Sequence, residues 1–187
     1  DFSKSRTEKS LVVEVRKKRP VKAWLSVPCT AWSAAQNGNK KSKKQRRMLQ
    51  RKRAESRSLL KKALAILGEI VKDPTADVYF EWPENCHGWQ VLELKAFRKH
   101  CAALERPLHR VLVHGCAYGL RSQRWPGKFL RRAWAIETTD PAFKESVGKK
   151  CPGNHRHRSS MGSEVAHSAR HPWRMAQAVA QHWARGV

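Results

Sequence analysis

Residues 22–33 read KAWLSVPCTAWS, a short apolar strand that runs directly into a Pro-Cys turn. A second apolar run, residues 78–80, continues in the same way into Glu81-Trp82-Pro83. In an open parallel sheet, the residues just past the carboxyl ends of the strands line the ligand crevice. We therefore expect the thiol of Cys29 and the carboxylate of Glu81 to face one cleft, an arrangement that favours nucleophilic chemistry assisted by an acid.

Helices and strands alternate along the rest of the chain. Apolar residues recur at intervals of three and four over 60–71 and again over 89–104, the spacing of helices that bury one face. Apolar runs at 109–113 and 133–136 are typical of further strands, and Pro172 is placed to open a last helix. This order predicts an α/β fold with a mostly parallel sheet, flanking helices and a basic, His-rich carboxyl-terminal segment.

The composition divides the chain into three parts. Residues 1–20 form a basic, weakly patterned extension, in which Leu11-Val12-Val13 suggests a stray strand or part of an element whose partners are missing. Residues 21–140 hold the α/β core, and residues 141–187 form a basic segment with Cys, His and the last helix. The start resembles no signal peptide and is not Met, so we expect a fragment, a processed product or a piece of a longer protein.

Charge is the strongest compositional signal. The 39 Lys and Arg outnumber the 15 Asp and Glu, which gives a formal net charge of +24. A polyanion is the simplest partner for such a chain, and DNA or RNA is the favoured one. An anionic membrane surface is the weaker alternative, and no apolar run reaches the length of a membrane span. Five widely spaced cysteines argue against a secreted disulfide framework and favour an intracellular, nuclear or nucleoid-associated location.

The positive charge is concentrated in two stretches of the sequence. Residues 40–62 hold twelve Lys or Arg and a single acid, Glu55. The alternative interpretation is a solvated helix face, but such a face normally carries charges of both signs. The second stretch is the basic loop at 121–132. The residues that we predict to contact phosphates are Lys43, Lys44, Arg46, Arg47, Arg51, Arg53, Arg121, Arg124, Arg131 and Arg132.

Taken in order, these motifs resemble those of a known family. Pro28-Cys29-Thr30-Ala31-Trp32-Ser33 resembles the Pro-Cys-Gln-x-Phe/Trp-Ser motif of DNA (cytosine-5) methyltransferases, and Glu81-Trp82-Pro83 resembles their Glu-Asn-Val/Pro motif. Cys116-Ala117-Tyr118-Gly119 with residues 132–138, and the Cys/His-rich segment before Pro172, are similar to phage-type members. Methyltransferase-like segments of retrotransposon polyproteins are similar too, and the resemblance runs from about residue 22 to residue 185.

The resemblance implies a partial Rossmann-like, methyltransferase-type sheet. It implies that Cys29 is the nucleophile that adds to C6 of a flipped cytosine, and that Glu81 contacts the base edge. It also implies S-adenosylmethionine as the cofactor. The Gly-rich cofactor-binding half of the family has no counterpart before Lys22, so we expect incomplete cofactor binding and activity only with an upstream segment. Thr30 stands where the family has Gln, and Trp82 stands where it has Asn.

The rival interpretation is a non-catalytic, basic nucleic-acid-binding module derived from a mobile element. In that case Cys29 is an inert buried thiol and Glu81 is a strand-end carboxylate that pairs with an arginine.

A third feature is the Cys-x3-His-x-His cluster formed by Cys151, His155 and His157, which suggests a zinc site. The fourth ligand would come from Cys116, Cys86 or His87. The spacing matches no standard zinc finger, so a His-rich loop that touches phosphate or solvent is the alternative. Cys101 lies on the apolar face of a predicted helix, where we expect it in the core.

Overall fold

A computed structural model describes residues 5–33, 36, 41–160 and 164–185, with the backbone alone for residues 5–9. The loop predicted at Asn37-Gly38-Asn39 therefore lies outside the described residues. The chain divides into two compact units. Unit 1 consists of residues 1–108 with 137–140, and unit 2 of residues 109–136 with 141–187. The division at residues 20 and 140 follows composition and stays a prediction.

The described helices are α1 (Ser5–Lys18), α2 (Lys43–Ile70), α3 (Leu92–Ala103), α4 (Phe143–Val147), α5 (Glu164–Ser168) and α6 (Trp173–Arg185). The described strands are β1 (Lys22–Ser26), β2 (Asp77–Pro83), β3 (His109–His114), β4 (Phe129–Leu130), β5 (Ala133–Thr138) and β6 (His157–Arg158). Single 3₁₀ turns cover Thr30–Trp32, His87–Gln90 and Gly115–Tyr118. Among these described helices, none has both the length and the apolar character that crossing a membrane requires.

The larger sheet has the strand order β1-β2-β5-β3 and is mixed. The α/β class with flanking helices is confirmed, and β1 and β2 pair in parallel as expected. The expectation of mostly parallel strands is corrected for β5. The N–H of Gly115, just after β3, donates to the carbonyl of Arg132, just before β5, which is an antiparallel arrangement. The connection 115–132 holds no α-helix, the usual crossover between parallel neighbours.

Unit 1 is built on β1, β2 and α2. All residues from Val78 to Trp82 are buried, as a near-continuous apolar run predicts for a strand covered on both faces. Helix α2 begins with a capping box between Ser42 and Gln45, and its buried stripe lies in the second half of the helix. Cys101 on α3 is fully buried, which confirms its predicted place in the core.

The amino-terminal segment differs from the expectation. Leu11-Val12-Val13 belongs to helix α1 rather than to a strand. Leu11, Val12 and Val15 are half-buried and recur at helical spacing, while Val13 is exposed. An ion pair of 2.8 Å between Arg16 and Glu69 joins α1 to α2. Packing against α2 therefore decides the conformation of a segment whose own pattern is weak.

Unit 2 has more regular structure than the sequence predicts. The basic loop predicted at 121–132 contains β4, and the basic carboxyl-terminal segment contains α4, β6 and α5 besides the expected last helix. The strands β4 and β6, which pair in parallel, are only two residues long. The alternation of apolar and polar residues that marks a strand cannot be recognised over so short a stretch. The buried residues of unit 2 include Phe143, Val147 and Met175. The hydroxyl of Tyr118 donates to the carbonyl of Val147 over 2.9 Å.

Candidate functional site

Both predicted catalytic residues lie at the carboxyl end of the β1–β2 pair in unit 1. The parallel register sets Ser26 opposite Glu81, and Cys29 follows three residues after Ser26. Cys29 is half-buried and directly precedes the 3₁₀ turn Thr30–Trp32. The side chain of Glu81 is buried, with 4% of the residue exposed. The two motifs that the sequence analysis singled out thus leave neighbouring strands at the same end.

Trp82 braces these two strand ends. Its indole N–H donates to the carbonyl of Val27 over 2.6 Å, and its side chain is fully buried. Its ring packs edge-on against Phe80, at 5.0 Å between centroids, and against Trp89, at 5.7 Å. A Cβ atom on Gly88 would overlap the Trp82 ring, so this close approach requires glycine. The residue that replaces the family's Asn therefore has a packing role in this chain.

Cys86 lies beside Cys29, a contact that the sequence analysis missed. Hydrogen bonding with Cys29, followed by burial, raises the pKa of the Cys86 thiol far above its usual value. Cys86 is therefore the thiol of this pair that keeps its proton. A donated hydrogen bond favours the charged form of the acceptor. A proton donated by Cys86 would thus favour a thiolate at Cys29.

Replacing Cys86 with alanine is expected to slow alkylation of Cys29 at neutral pH. The thiolate is the reactive form, and losing one hydrogen bond of about 1–1.5 kcal/mol moves the pH of half-maximal rate upward by about one unit. The measurement is the rate of iodoacetamide incorporation into the Cys29 peptide against pH. Cys101→Ala is the matched control, because burial raises the pKa of that thiol to about 11 and no change at Cys29 is expected. An unchanged profile in Cys86→Ala would contradict the assigned hydrogen bond.

The basic half of α2 ends next to the Cys29 turn. Trp32 donates its indole N–H to the hydroxyl of Ser56 over 2.9 Å. Arg53 is half-buried, donates to the carbonyl of Ala31 over 3.2 Å and lies over the Trp32 ring at 5.3 Å. These contacts fasten the turn to the helix, so Arg53 has a structural role. The predicted phosphate contacts that are exposed on α2 are Lys43, Lys44, Arg46, Arg47 and Arg51.

The basic loop of unit 2 combines exposed arginines with aromatic rings. Arg124 and Arg158 lie over the ring of Trp125, at 5.2 and 5.3 Å, and Trp125 is 45% exposed. Arg121 lies over Phe129 at 4.2 Å. Exposed aromatic rings beside arginines suit the stacking of bases in single-stranded nucleic acid. Of the other predicted contacts in this loop, Arg131 is exposed and Arg132 is half-buried.

A buried carboxylate holds this loop in place. Glu164 on α5 accepts a hydrogen bond of 2.6 Å from the hydroxyl of Ser122 and one of 2.8 Å from the backbone N–H of Arg124. The hydroxyl of Ser122 in turn accepts from the backbone N–H of Trp125 over 2.8 Å. No local pattern pointed to Glu164, because its partners lie 40 and 42 residues away along the chain.

Four potential metal ligands converge in unit 2: Cys116, Cys151, His155 and His157. Their ligand atoms all lie within 4.8 Å of one another, so the group could hold a metal ion. The sequence analysis left three candidates for the fourth ligand, and the structure brings one of them, Cys116, to the cluster. Cys86 instead lies beside Cys29, and His87 is exposed in unit 1. Burial, helped by a hydrogen bond with Cys151, raises the pKa of Cys116 to about 11. A bound cation would instead lower the pKa of this thiol.

No protein-family model, no curated protein and no solved structure matches this chain. Its function therefore has to be argued from its own residues and from the resemblance of its motifs.

Proposed function

We propose that this chain is a nucleic-acid-binding domain of the DNA cytosine-5 methyltransferase type, in which Cys29 attacks the base and Glu81 contacts it. The observation that carries the proposal is the parallel β1–β2 register, which sets Ser26 opposite Glu81 and so brings the Pro-Cys and Glu-Trp-Pro motifs to one end of a strand pair. Motif order along the chain adds to this, since both motifs follow apolar strands in the order of the family.

The chemistry that these residues support is thiol addition to cytosine. The thiolate of Cys29 adds to C6, and the electron pair of the C5–C6 bond moves to C5, which becomes nucleophilic. Glu81 hydrogen-bonds N3 and the exocyclic amine, and so stabilises the charge that develops on the ring. The S–H of Cys86 holds the Cys29 sulfur in its charged form before attack. Because C6 is covered in a stacked duplex, the base has to leave the stack.

S-adenosylmethionine does not fit the described residues of unit 1. A cofactor cradle needs glycines whose backbone is open to the ligand. The described glycines of this unit, Gly68 and Gly88, face the His100 ring and the Trp82 ring instead. We therefore derive no methyl-transfer step for the described residues, and the proposal rests on the addition step and on nucleic-acid binding.

Access to the site is consistent with a polyanionic substrate. The turn that holds Cys29 contacts the middle of α2, directly after its exposed basic residues, through the contacts of Trp32 with Ser56 and of Arg53 with Ala31. Of the exposed residues Lys43, Lys44, Arg46, Arg47 and Arg51, Arg51 forms an ion pair with Glu55 at 2.9 Å. A nucleic-acid backbone bound along α2 would bring bases near Cys29.

Covalent capture of a modified base tests the proposal without a methyl donor. A 2-pyrimidinone base lacks the exocyclic amine, so its C6 accepts a thiol more readily and the adduct accumulates. We expect a denaturation-resistant complex between the full chain and oligonucleotides that carry this base within randomised flanks. Peptide mapping should locate the adduct at Cys29. Cys29→Ser should abolish it, and Glu81→Gln should slow its formation by about 10²–10³-fold.

The matched control is Cys101→Ser, which removes another thiol of unit 1 on α3 and should leave adduct formation intact. Far-UV circular dichroism of each variant shows whether the fold survives. An adduct that persists in Cys29→Ser, or that maps to another cysteine, would overturn the assigned nucleophile.

The second candidate is a non-catalytic nucleic-acid-binding module, which the predominantly positive, exposed first half of α2 favours. In that case the oligonucleotides bind in a salt-sensitive manner, equally in the native chain and in Cys29→Ser, and no adduct forms.

A further inference from the structure

We infer that unit 2 contains a structural zinc site in which Cys116, Cys151, His155 and His157 bind one Zn²⁺ tetrahedrally. This inference is independent of the proposed function, because none of the four ligands belongs to unit 1.

The distances among three of the four donor atoms match a zinc tetrahedron. The sulfur of Cys151 lies 3.6 Å from Nε2 of His155 and 3.5 Å from Nε2 of His157. The two Nε2 atoms lie 3.1 Å apart. With Zn–S near 2.3 Å and Zn–N near 2.0–2.1 Å, a regular tetrahedron requires about 3.6 Å between sulfur and nitrogen and about 3.3 Å between nitrogens. One ion at the centre therefore reaches all of these atoms with small shifts.

The surrounding hydrogen bonds prepare the ligands for a cation. Nδ1 of His155 lies 3.0 Å from Oδ1 of Asn154, and a carbonyl oxygen can only accept, so Nδ1 carries the proton. Nε2 of His155 then has its lone pair directed into the cluster. The backbone N–H of Gly153 donates to the sulfur of Cys151 over 3.4 Å and so orients that sulfur. Such outer contacts typically orient metal ligands and tune their basicity.

The backbone around Cys151 has the conformation that such a turn requires. Gly153 has a φ of +77°, in the left-handed region that glycine adopts freely. The N–H of Cys151 donates to Nδ1 of His114 over 3.0 Å, which ties the start of the turn to the end of β3. Cys116 lies in the 3₁₀ turn that directly follows β3. Ligands from two distant segments are thereby held at one point.

The donor set identifies the metal and its role. Two thiolates and two neutral imidazoles give a charge-neutral site with Zn²⁺, and this soft set of four selects zinc over magnesium or calcium. Four protein ligands leave no open position, so the site is structural and not catalytic.

The segment that zinc would hold also carries part of the arginine–aromatic surface. His157 pairs with Phe129 in the β4–β6 register, and the ring of His155 stacks on Phe129 at 4.0 Å. The next residue, Arg158, lies over Trp125 at 5.3 Å. Zinc would therefore anchor β6 against β4 and fix Arg158 beside Trp125.

The test measures metal in the full chain after purification from zinc-supplemented medium. We expect one zinc per chain by elemental mass spectrometry. Replacement of zinc by Co²⁺ should give the intense visible bands of tetrahedral cobalt and a sulfur-to-cobalt charge-transfer band. Cys151→Ser and His157→Ala should lose the metal. His87→Gln and His109→Gln, which change exposed histidines outside the cluster, should retain it.

Competition with a chromophoric chelator gives a second readout in a variant that keeps all four ligands. Asn154→Ala should weaken zinc binding by about 10–100-fold, because His155 loses its orienting contact. A native chain without stoichiometric metal, an octahedral cobalt spectrum, or equal zinc content in Cys151→Ser would overturn the proposal. The native cobalt spectrum decides the matter even if a ligand variant fails to fold.

Discussion

Replacing Trp82 with alanine is expected to lower the unfolding free energy of unit 1 by about 3–5 kcal/mol. The substitution removes a fully buried indole and leaves a cavity beside Phe80 and Trp89. It also leaves the carbonyl of Val27 without the indole donor that joins the two strand ends. A loss of that size is a large part of the stability of a typical domain. Denaturant unfolding followed by far-UV circular dichroism measures it.

Trp173→Ala provides the control, because Trp173 on α6 is 78% exposed and its removal should change stability by no more than about 0.5 kcal/mol. A loss below about 1 kcal/mol in Trp82→Ala would show that Trp82 does not brace β1 and β2.

Neutralising Lys43, Arg46 and Arg47 together to glutamine is expected to weaken nucleic-acid binding by about 10²–10³-fold at low salt. All three side chains are exposed at the start of α2. Each lost phosphate contact also lowers the slope of log K against log salt by about one, so the slope should fall by about three. Fluorescence anisotropy with a labelled duplex and a labelled single strand, each over a salt series, measures both quantities.

The control removes the same charge elsewhere in unit 1. Lys17, Lys95 and Lys99 are exposed on α1 and α3, and the triple glutamine variant there keeps the same net charge as the test variant. If both variants lose affinity equally, net charge alone accounts for binding and α2 is not the interface.

The strands that hold the proposed catalytic motifs could be predicted because their signals are local. Residues 22–27 and 78–80 are apolar runs bounded by turn residues, and α2 repeats its apolar residues at helical spacing. Helix α1 was mistaken because Leu11, Val12 and Val13 favour a strand by propensity, while contact with α2 decides their conformation. The antiparallel direction of β5 depends on pairing between segments, which no local pattern encodes.

The same limit applies to the sites. Cys29 and Glu81 could be singled out, since each comes just after an apolar run in the sequence. The contact between Cys29 and Cys86 joins residues 57 positions apart, and Cys116 lies 35 residues before Cys151. The sequence could therefore indicate Cys116 only as one of three candidates for the fourth ligand. The tertiary fold selects it from the three.

Helix α2 has a consequence for the energetics of binding. Its 28 residues span about 42 Å, but its buried residues are confined to Leu60–Ile70, so the first half gains little from packing. That half sets like charges three and four residues apart, and its first turn places lysines at the positive end of the helix dipole without an acidic residue. Both effects work against the helix in free protein and are relieved when an anion arrives. If the proposed polyanion binds there, ligand affinity and helix persistence would be reciprocally linked, and the polyanion would become part of what keeps this helix folded.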